Sequence, residues 1–465
     1  MSSSITTSVE YICPGELHSI SRAVHFSRLA AFYPKCKECP LRCETGNLPK
    51  RITEHYKKFE QHQKNEQHLT RRTLFTTEGV RGVYINKLDR TKAAQITSAL
   101  ASLLWEETPF VGRSENDPPH TARRVRQTVV VGYDERPSSP DLFAGVTAAL
   151  IRMGCEVIDI GMTSKPCFWF AVQHLEARAG VYISGSGCDA AWTGLDFVGE
   201  NARPLSLGTT SMNSRSLLSG ALCATLNRLE KRLSQPIGRP IRFAGHQRTF
   251  QATVPYLAGL WKHFHELRPL SIVVGCTMPQ VVKTLSTLFE QLPCRLQLLT
   301  LPRRKKEINN DEDVDLLQVG QTVKEFNADM GMLIDDDGQR CRFIDEQGIA
   351  IDACDITRLL ADLQLSFHPD GSVVLEQNVS HLKESLPLLP DSTCTTVLPR
   401  LGIVYETMQT TNAIFAGGNS GYYWFRKTLP TCDAILTLAN ILTLLSRTDA
   451  SFSQIICGRQ NHVST

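Results

Sequence analysis

Two textures of apolar and polar positions divide this chain, and they meet near Arg72. Upstream, the apolar spacing from Ser19 to Phe32 predicts one helix with an apolar face. Residues 46–72 then turn strongly polar, around Lys57-Lys58-Phe59-Glu60, and predict a solvated helix or linker. Downstream, short β-branched runs alternate with amphipathic stretches, the pattern of an α/β fold. Strands are predicted at 127–131, 156–160 and 180–183, with helices at 88–107 and 139–153. The second helix opens on Ser138-Ser139-Pro140-Asp141, a capping signal with proline in the first turn. The rhythm returns as strand 270–274, helix 279–292 and strand 295–301. It returns again around an acidic turn, with strands at 332–334 and 341–344 and a helix at 356–365. The polar, proline-containing insert 113–126 is predicted to be a surface loop. The fold class is therefore α/β, with three units in tandem behind an N-terminal Cys-containing extension.

Composition narrows the function classes. At 465 residues the chain has room for about three or four domains. Its 42% hydrophobic and 21% charged residues are those of a globular protein. A net charge of +3 is too small to argue for nucleic acid or a membrane surface as partner. The apolar run 434–445 is short and carries Thr437, Asn440 and Thr443, so it does not read as a membrane span. Glu10 and Glu16, with no basic flank before an apolar run, argue against a secretory signal; a cytoplasmic location is expected.

An odd count of 15 cysteines is inconsistent with a fully paired disulfide framework. Most lie singly in apolar segments, where a reduced buried thiol is the default. The exception is Cys36-x2-Cys39-x3-Cys43, with Cys13, His18 and His25 upstream. Thiolates two residues apart can grip one tetrahedral ion, which makes zinc at Cys13, Cys36, Cys39 and Cys43 one reading. An iron–sulfur cluster and plain structural thiols stay open beside it.

The candidate chemistry centres on Leu333-Ile334-Asp335-Asp336-Asp337-Gly338-Gln339-Arg340, three carboxylates on a short turn after an apolar strand. Such packing calls for a hard divalent cation or a well-solvated turn. The strand that follows ends in Asp345-Glu346-Gln347-Gly348. Together these resemble the magnesium loop of the α-D-phosphohexomutases (phosphoglucomutase and phosphomannomutase), Asp-Gly-Asp-Gly-Asp-Arg followed by a strand and Asp-Glu-x-Gly. On that pattern Asp335 and Asp337 keep two ligands, Arg340 keeps the arginine, and Gln339 replaces the third aspartate.

Further motifs of the same family follow in order over about four-fifths of the chain. Phe75-Thr76-Thr77-Glu78-Gly79-Val80-Arg81-Gly82 resembles Phe-Gly-Thr-x-Gly-x-Arg-Gly, and Val131-Gly132-Tyr133-Asp134-Glu135-Arg136-Pro137-Ser138-Ser139 resembles Val-Gly-x-Asp-x-Arg-x-Ser-Ser. Arg81 and Arg136 suit bidentate contact with phosphate oxygens. Residues 184–194 align without a gap on Thr-Ala-Ser-His-Asn-Pro-Pro-x-x-x-Gly, which puts Ser186 at the phosphoserine position. Gly187 stands there for histidine, Cys188 for asparagine and Asp189 for the first proline. The sugar loop Gly-Glu-x-Ser-Gly-His becomes Gly417-Gly418-Asn419-Ser420-Gly421-Tyr422, which keeps Ser420 and Gly421, puts Gly418 for the glutamate and Tyr422 for the histidine, and makes Asn419 and Ser420 the candidate sugar contacts. Val404 stands where the family pattern has lysine, and no counterpart of the family's fourth domain, with its Arg-x-Ser-Gly-Thr loop, is expected.

The resemblance implies phosphohexomutase domains with mixed sheets between helices. The expected divisions are a Cys-rich module at 1–45, a polar linker or helix at 46–72, domain I at 73–238, domain II at 239–304, domain III with the metal and sugar loops at 305–456, and a tail at 457–465. It implies phosphoryl transfer on hexose phosphates, with a hexose phosphate or sugar bisphosphate as ligand. Mg²⁺ would be held weakly by phosphorylated Ser186, Asp335, Asp337 and Gln339. The substitutions imply impaired or absent turnover, and a non-catalytic binder with a protein partner at the N-terminal module is the alternative reading.

Overall fold

The computed structural model describes residues 11–13, 18–37, 39, 41–42, 44–54, 56, 74–107, 127–206, 226–303, 313–377 and 394–460. The chain divides into two compact units, Met1–Thr73 and Leu74–Thr465. In the first, strands Tyr11–Ile12 and Ser19–Ile20 pair antiparallel. The helix expected from Ser19 therefore begins later, at Arg22–Ala30, where the Ser21 hydroxyl accepts from the Val24 N–H. Leu29, Cys36 and Tyr56 form a small buried core with Phe26, Tyr33, Leu48 and Ile52 against it. Tyr56 donates to the Leu29 carbonyl at 3.2 Å. The start of the expected linker is thus packed, because Leu48, Ile52 and Tyr56 put apolar surface on its inner side. Residues 57–73, Cys43 and the insert 113–126 lie outside the described residues.

Among the described residues the body is built on three sheets. A seven-stranded sheet runs in the order Phe75–Thr76, Gly79–Val83, Trp192–Val198, Ala179–Ile183, Thr128–Tyr133, Glu156–Met162, Gln247–Thr249. Its centre is parallel and its Trp192–Val198 side antiparallel. The near-continuous apolar run Val129-Val130-Val131 has its reason here. Val129 and Val131 enter a core under helices Arg90–Glu106 and Ser139–Arg152, while Val130 enters the opposite one. A strand buried on both faces needs no polar alternation.

The second sheet has four strands in the order Arg295–Thr300, Ser271–Cys276, Met330–Ile334, Cys341–Ile344. Ser271–Cys276 pairs in parallel with Met330–Ile334 across the division expected at 304/305. That expectation is corrected: the acidic turn belongs to the second sheet. The third sheet has five strands, ordered Cys394–Val397, Val373–Glu376, Phe415–Gly417, Trp424–Arg426, Pro430–Cys432. One large core runs from the first sheet's inner face through both of the others. Helix Ala434–Ser446, the run judged too short for a membrane span, is buried in that core, with Asp433 capping it through the Ile435 and Leu436 N–H groups. Among the described residues no helix is long and apolar enough to cross a membrane.

Candidate functional site

The serine, acidic and sugar loops each leave the C-terminal end of a parallel strand, where α/β sheets place ligands. The serine loop follows Ala179–Ile183. The acidic turn follows Met330–Ile334, and the sugar loop follows Phe415–Gly417.

Arg136 organises the serine loop. It is 1% exposed and lies 3.2 Å from Asp134, whose other oxygen accepts from the Arg136 N–H and the Ser139 hydroxyl. Ser138, expected to cap the next helix, makes no side-chain cap bond. The Arg136 Nη1 donates to the carbonyls of Asp189 (2.8 Å) and Trp192 (3.0 Å), and Nη2 donates to that of Cys188 (3.1 Å). Gly185 is required beneath it, since a Cβ there would lie 2.8 Å from the Arg136 Cζ and 2.5 Å from the Trp192 carbonyl oxygen. Arg136, expected to bind phosphate, thus spends its terminal N–H groups on the protein's own oxygens. Ser186 is half-buried, with its N–H on the Ser184 hydroxyl at 3.0 Å. Beside it, burial pushes the Cys188 thiol up although Arg81 and Arg136 favour the thiolate, so Cys188 is no ready nucleophile.

The acidic turn reaches the serine loop through Asp336. Its Oδ1 accepts from the Gly187 N–H at 3.1 Å, and its Oδ2 accepts from Arg136 Nη2 at 3.0 Å. Arg303, itself paired with Glu135, stands 4.0 Å from the same carboxylate. Burial and neighbouring Asp337 push the Asp336 carboxyl up, against the pull of Gly187, Arg136 and Arg303. The other two carboxylates turn elsewhere. Asp335 pairs with Arg340 at 2.9 Å. Asp337 takes the backbone N–H groups of Gln339 (2.8 Å) and Arg340 (3.0 Å) on one oxygen and the Tyr422 hydroxyl (2.7 Å) on the other. Gln339 is fully buried, donates to the Cys432 carbonyl and leaves its Oε1 without a partner.

Arg81 leads to a buried network. Arg81 and Lys165, the latter in the first turn of helix Lys165–His174, both pair with Asp196 on strand Trp192–Val198. Burial alone would raise the Asp196 carboxyl; the two cations outweigh it and leave it lowered. Close by, half-buried Glu78 accepts from the Ser206 hydroxyl and the Leu401 N–H.

The sugar loop is tied to the acidic turn. Arg340 Nε donates to the Ser420 carbonyl at 2.6 Å, and Arg340 and Tyr422 form an isolated antiparallel bridge. Ser420 donates its hydroxyl and its N–H to Glu376, at the end of strand Val373–Glu376. Asn419 is half-buried on the same turn.

Neither expected metal site is supported by this arrangement. Among the described residues no three or more His, Cys, Asp or Glu side chains are grouped to hold a metal ion. A magnesium ion needs several free oxygens in octahedral array. Asp335 Oδ2 is turned to Arg340, both Asp337 oxygens accept from the protein, and Gln339 Oε1 is buried without a partner. In the N-terminal unit Cys13 accepts from Arg28 Nη1 at 3.0 Å, and the ring Nε2 of His25 meets the Glu44 carbonyl. Buried Cys36 has its thiol pushed up by burial and by Cys13 and Cys39 nearby. His18 is exposed.

The family profile "Phosphoglucomutase/phosphomannomutase, alpha/beta/alpha domain I" matches residues 72–212. The chain is 28% identical over 340 residues to the phosphohexose mutases of Xanthomonas campestris pv. campestris (strain B100), covering 71% of this chain and 72% of that protein. It is 26% identical over 363 residues to a phosphomannomutase of Salmonella typhimurium, covering 74% of each. The fold is similar to that of a phosphoglucomutase/phosphomannomutase family protein from Burkholderia thailandensis, with TM-score 0.66 and 20% identity over 83% of this chain and 79% of that one. A putative phosphomannomutase from Thermus thermophilus gives TM-score 0.65 and 18% identity over 84% of each. A mixed α/β body with the serine, acidic and sugar loops at its strand ends defines a phosphosugar-mutase architecture. The chain is thus similar in sequence and in fold to the α-D-phosphohexomutases.

Sequence reading missed Asp336, Lys165, Asp196 and Glu376. Asp336 carried a signal, an acid where the metal-loop pattern has glycine. Lys165 and Asp196 carried none, because only the fold brings a helix start beside that strand. Glu376 was visible merely as an acid closing an apolar run.

Proposed function

We propose that this protein binds hexose phosphates at the loops around Ser186 and Ser420 and turns them over little or not at all. The observation that carries the reading is the position of Asp336. Phosphoryl transfer depends on positive charge and N–H donors arranged around the moving group. Here the Gly187 N–H and one Arg136 N–H, the donors beside Ser186, already meet a carboxylate. A phosphoryl group on Ser186 would share that space with negative charge. Gly187 also leaves the loop without an imidazole, a loss of about 10²–10⁴ in rate where such a group serves as acid or base. Arg81, whose Nη1 is held by Asp196 and the Val80 carbonyl, would have to turn its other N–H groups to a ligand phosphate.

The reading gives the sugar loop a role in binding rather than chemistry. Ser420 and Asn419 would meet hexose hydroxyls, with the phosphate toward Arg81. Mg²⁺ has no step in this account, because Asp335 and Asp337 are engaged by Arg340 and Tyr422. Calorimetry with glucose 1-phosphate, and intact-mass analysis after incubation with glucose 1,6-bisphosphate, test it. The expected results are saturable binding of the monophosphate and no added phosphate on Ser186. Absence of binding to glucose and mannose phosphates contradicts the reading, and so does stoichiometric phosphorylation of Ser186.

A further inference from the structure

The glutamate missing from position 418 of the sugar loop has not left a gap. A Cβ on Gly418 would lie 2.3 Å from Glu376 Oε2 and 2.5 Å from both its Cβ and its Cδ. No side chain can enter there, because the carboxylate of Glu376 already fills the volume. It arrives from a different strand and is 5% exposed. Its contacts are specific. Ser420 donates its N–H to Oε2 at 3.0 Å and its hydroxyl to Oε1, and the Tyr422 N–H donates to Ser420 Oγ at 3.3 Å.

A serine hydroxyl has one hydrogen and two lone pairs. With the hydrogen committed to Glu376 and one lone pair to Tyr422, the remaining lone pair makes Ser420 Oγ an acceptor only. An acceptor of fixed polarity at this position suits a donor hydroxyl of a hexose. We infer that Glu376 is the positioning residue of the sugar loop: it supplies the carboxylate that Gly418 lacks and sets Ser420 to accept a hydrogen bond from a hexose hydroxyl. The inference deepens, and rests on, the reading of this site as a hexose phosphate site.

Exchange of Glu376 for glutamine separates this role from a structural one. A glutamine NH₂ toward Ser420 would donate to the hydroxyl oxygen and reverse its polarity with little change in volume. The experiment is calorimetry of the full chain with glucose 1-phosphate and with inorganic phosphate, for wild type, Glu376→Gln and the exchange pair Glu376→Gly with Gly418→Glu, folding being checked by melting temperature. Glu376→Gln should weaken glucose 1-phosphate binding about tenfold or more and leave phosphate within about twofold, since an unmatched polar partner costs sugar recognition selectively. The pair, which returns the carboxylate from the neighbouring position, should recover most of the loss. Gly418→Glu alone should melt lower than wild type for want of space. Unchanged glucose 1-phosphate affinity in Glu376→Gln overturns the inference and leaves the site reading intact. Equal weakening for both ligands, with no recovery in the pair, also overturns it. No glucose 1-phosphate binding by the wild type overturns the site reading and this inference together.

Discussion

Asp336 and Gly187 are joined by a 3.1 Å hydrogen bond from backbone N–H to carboxylate, across 149 positions of sequence. This bond closes the serine loop onto the acidic turn with a protein carboxylate between them. Because Arg136 Nη2 holds the other oxygen at 3.0 Å, the junction is an ion pair as well as a strut.

Replacing Asp336 by glycine releases both donors. Arg136 keeps Asp134, so the cost should stay below that of orphaning a buried charge, about 1–3 kcal/mol in urea unfolding. The freed N–H groups should strengthen inorganic phosphate binding by about three- to tenfold. A variant with unchanged phosphate affinity would show that Asp336 does not compete for the anion's place.

The sequence revealed the body well, and for a physical reason. Strand and helix positions such as Thr128–Tyr133 and Ser139–Arg152 fell within a few residues of expectation, because burial on both faces leaves a continuous apolar run flanked by turn residues. The serine, acidic and sugar loops were legible through spacing. Their partners were not. Nothing local says that Asp336 points at Gly187, that Lys165 meets Asp196, or that Glu376 fills the side-chain space of Gly418, since each pairing joins residues on separate strands or loops. The division at 304/305 failed similarly: the pairing of Ser271–Cys276 with Met330–Ile334 is a long-range choice.

Tyr422 stands where the sugar-loop pattern has histidine and donates to Asp337 at 2.7 Å. Burial, and then Asp337, push its hydroxyl well above the ordinary range, so it stays a donor. Tyr422→Phe should destabilise the protein by about 1–3 kcal/mol, because the carboxylate oxygen is left bare. The wild type should show no rise in melting temperature with millimolar Mg²⁺. A clear rise, which binding to the folded state would produce by mass action, would mean that Asp335 and Asp337 can be recruited from their present partners.

A pH dependence follows from Asp433. Burial pushes its carboxyl up from 3.8 to about 6, against the hydrogen bonds from Tyr256, Ile435 and Leu436. Between these two values the folded chain holds a proton that the unfolded chain has released. Stability is therefore greatest at the low end of the window and falls as pH rises toward 6, by at most on the order of 3 kcal/mol. Asp433→Asn, which can still cap the helix, should flatten this slope in denaturant titrations run at several pH values. An unchanged slope would assign the dependence to other carboxylates.

The central claim is that this phosphohexomutase fold binds without productive transfer at Ser186. Its most direct measurement is a coupled assay of glucose 1-phosphate and mannose 1-phosphate conversion to the 6-phosphates, with Mg²⁺ and glucose 1,6-bisphosphate present, for wild type and Ser186→Ala. The account predicts rates at background for both proteins. Wild-type turnover in the usual enzyme range of roughly 1–10³ s⁻¹, abolished in Ser186→Ala, would contradict it.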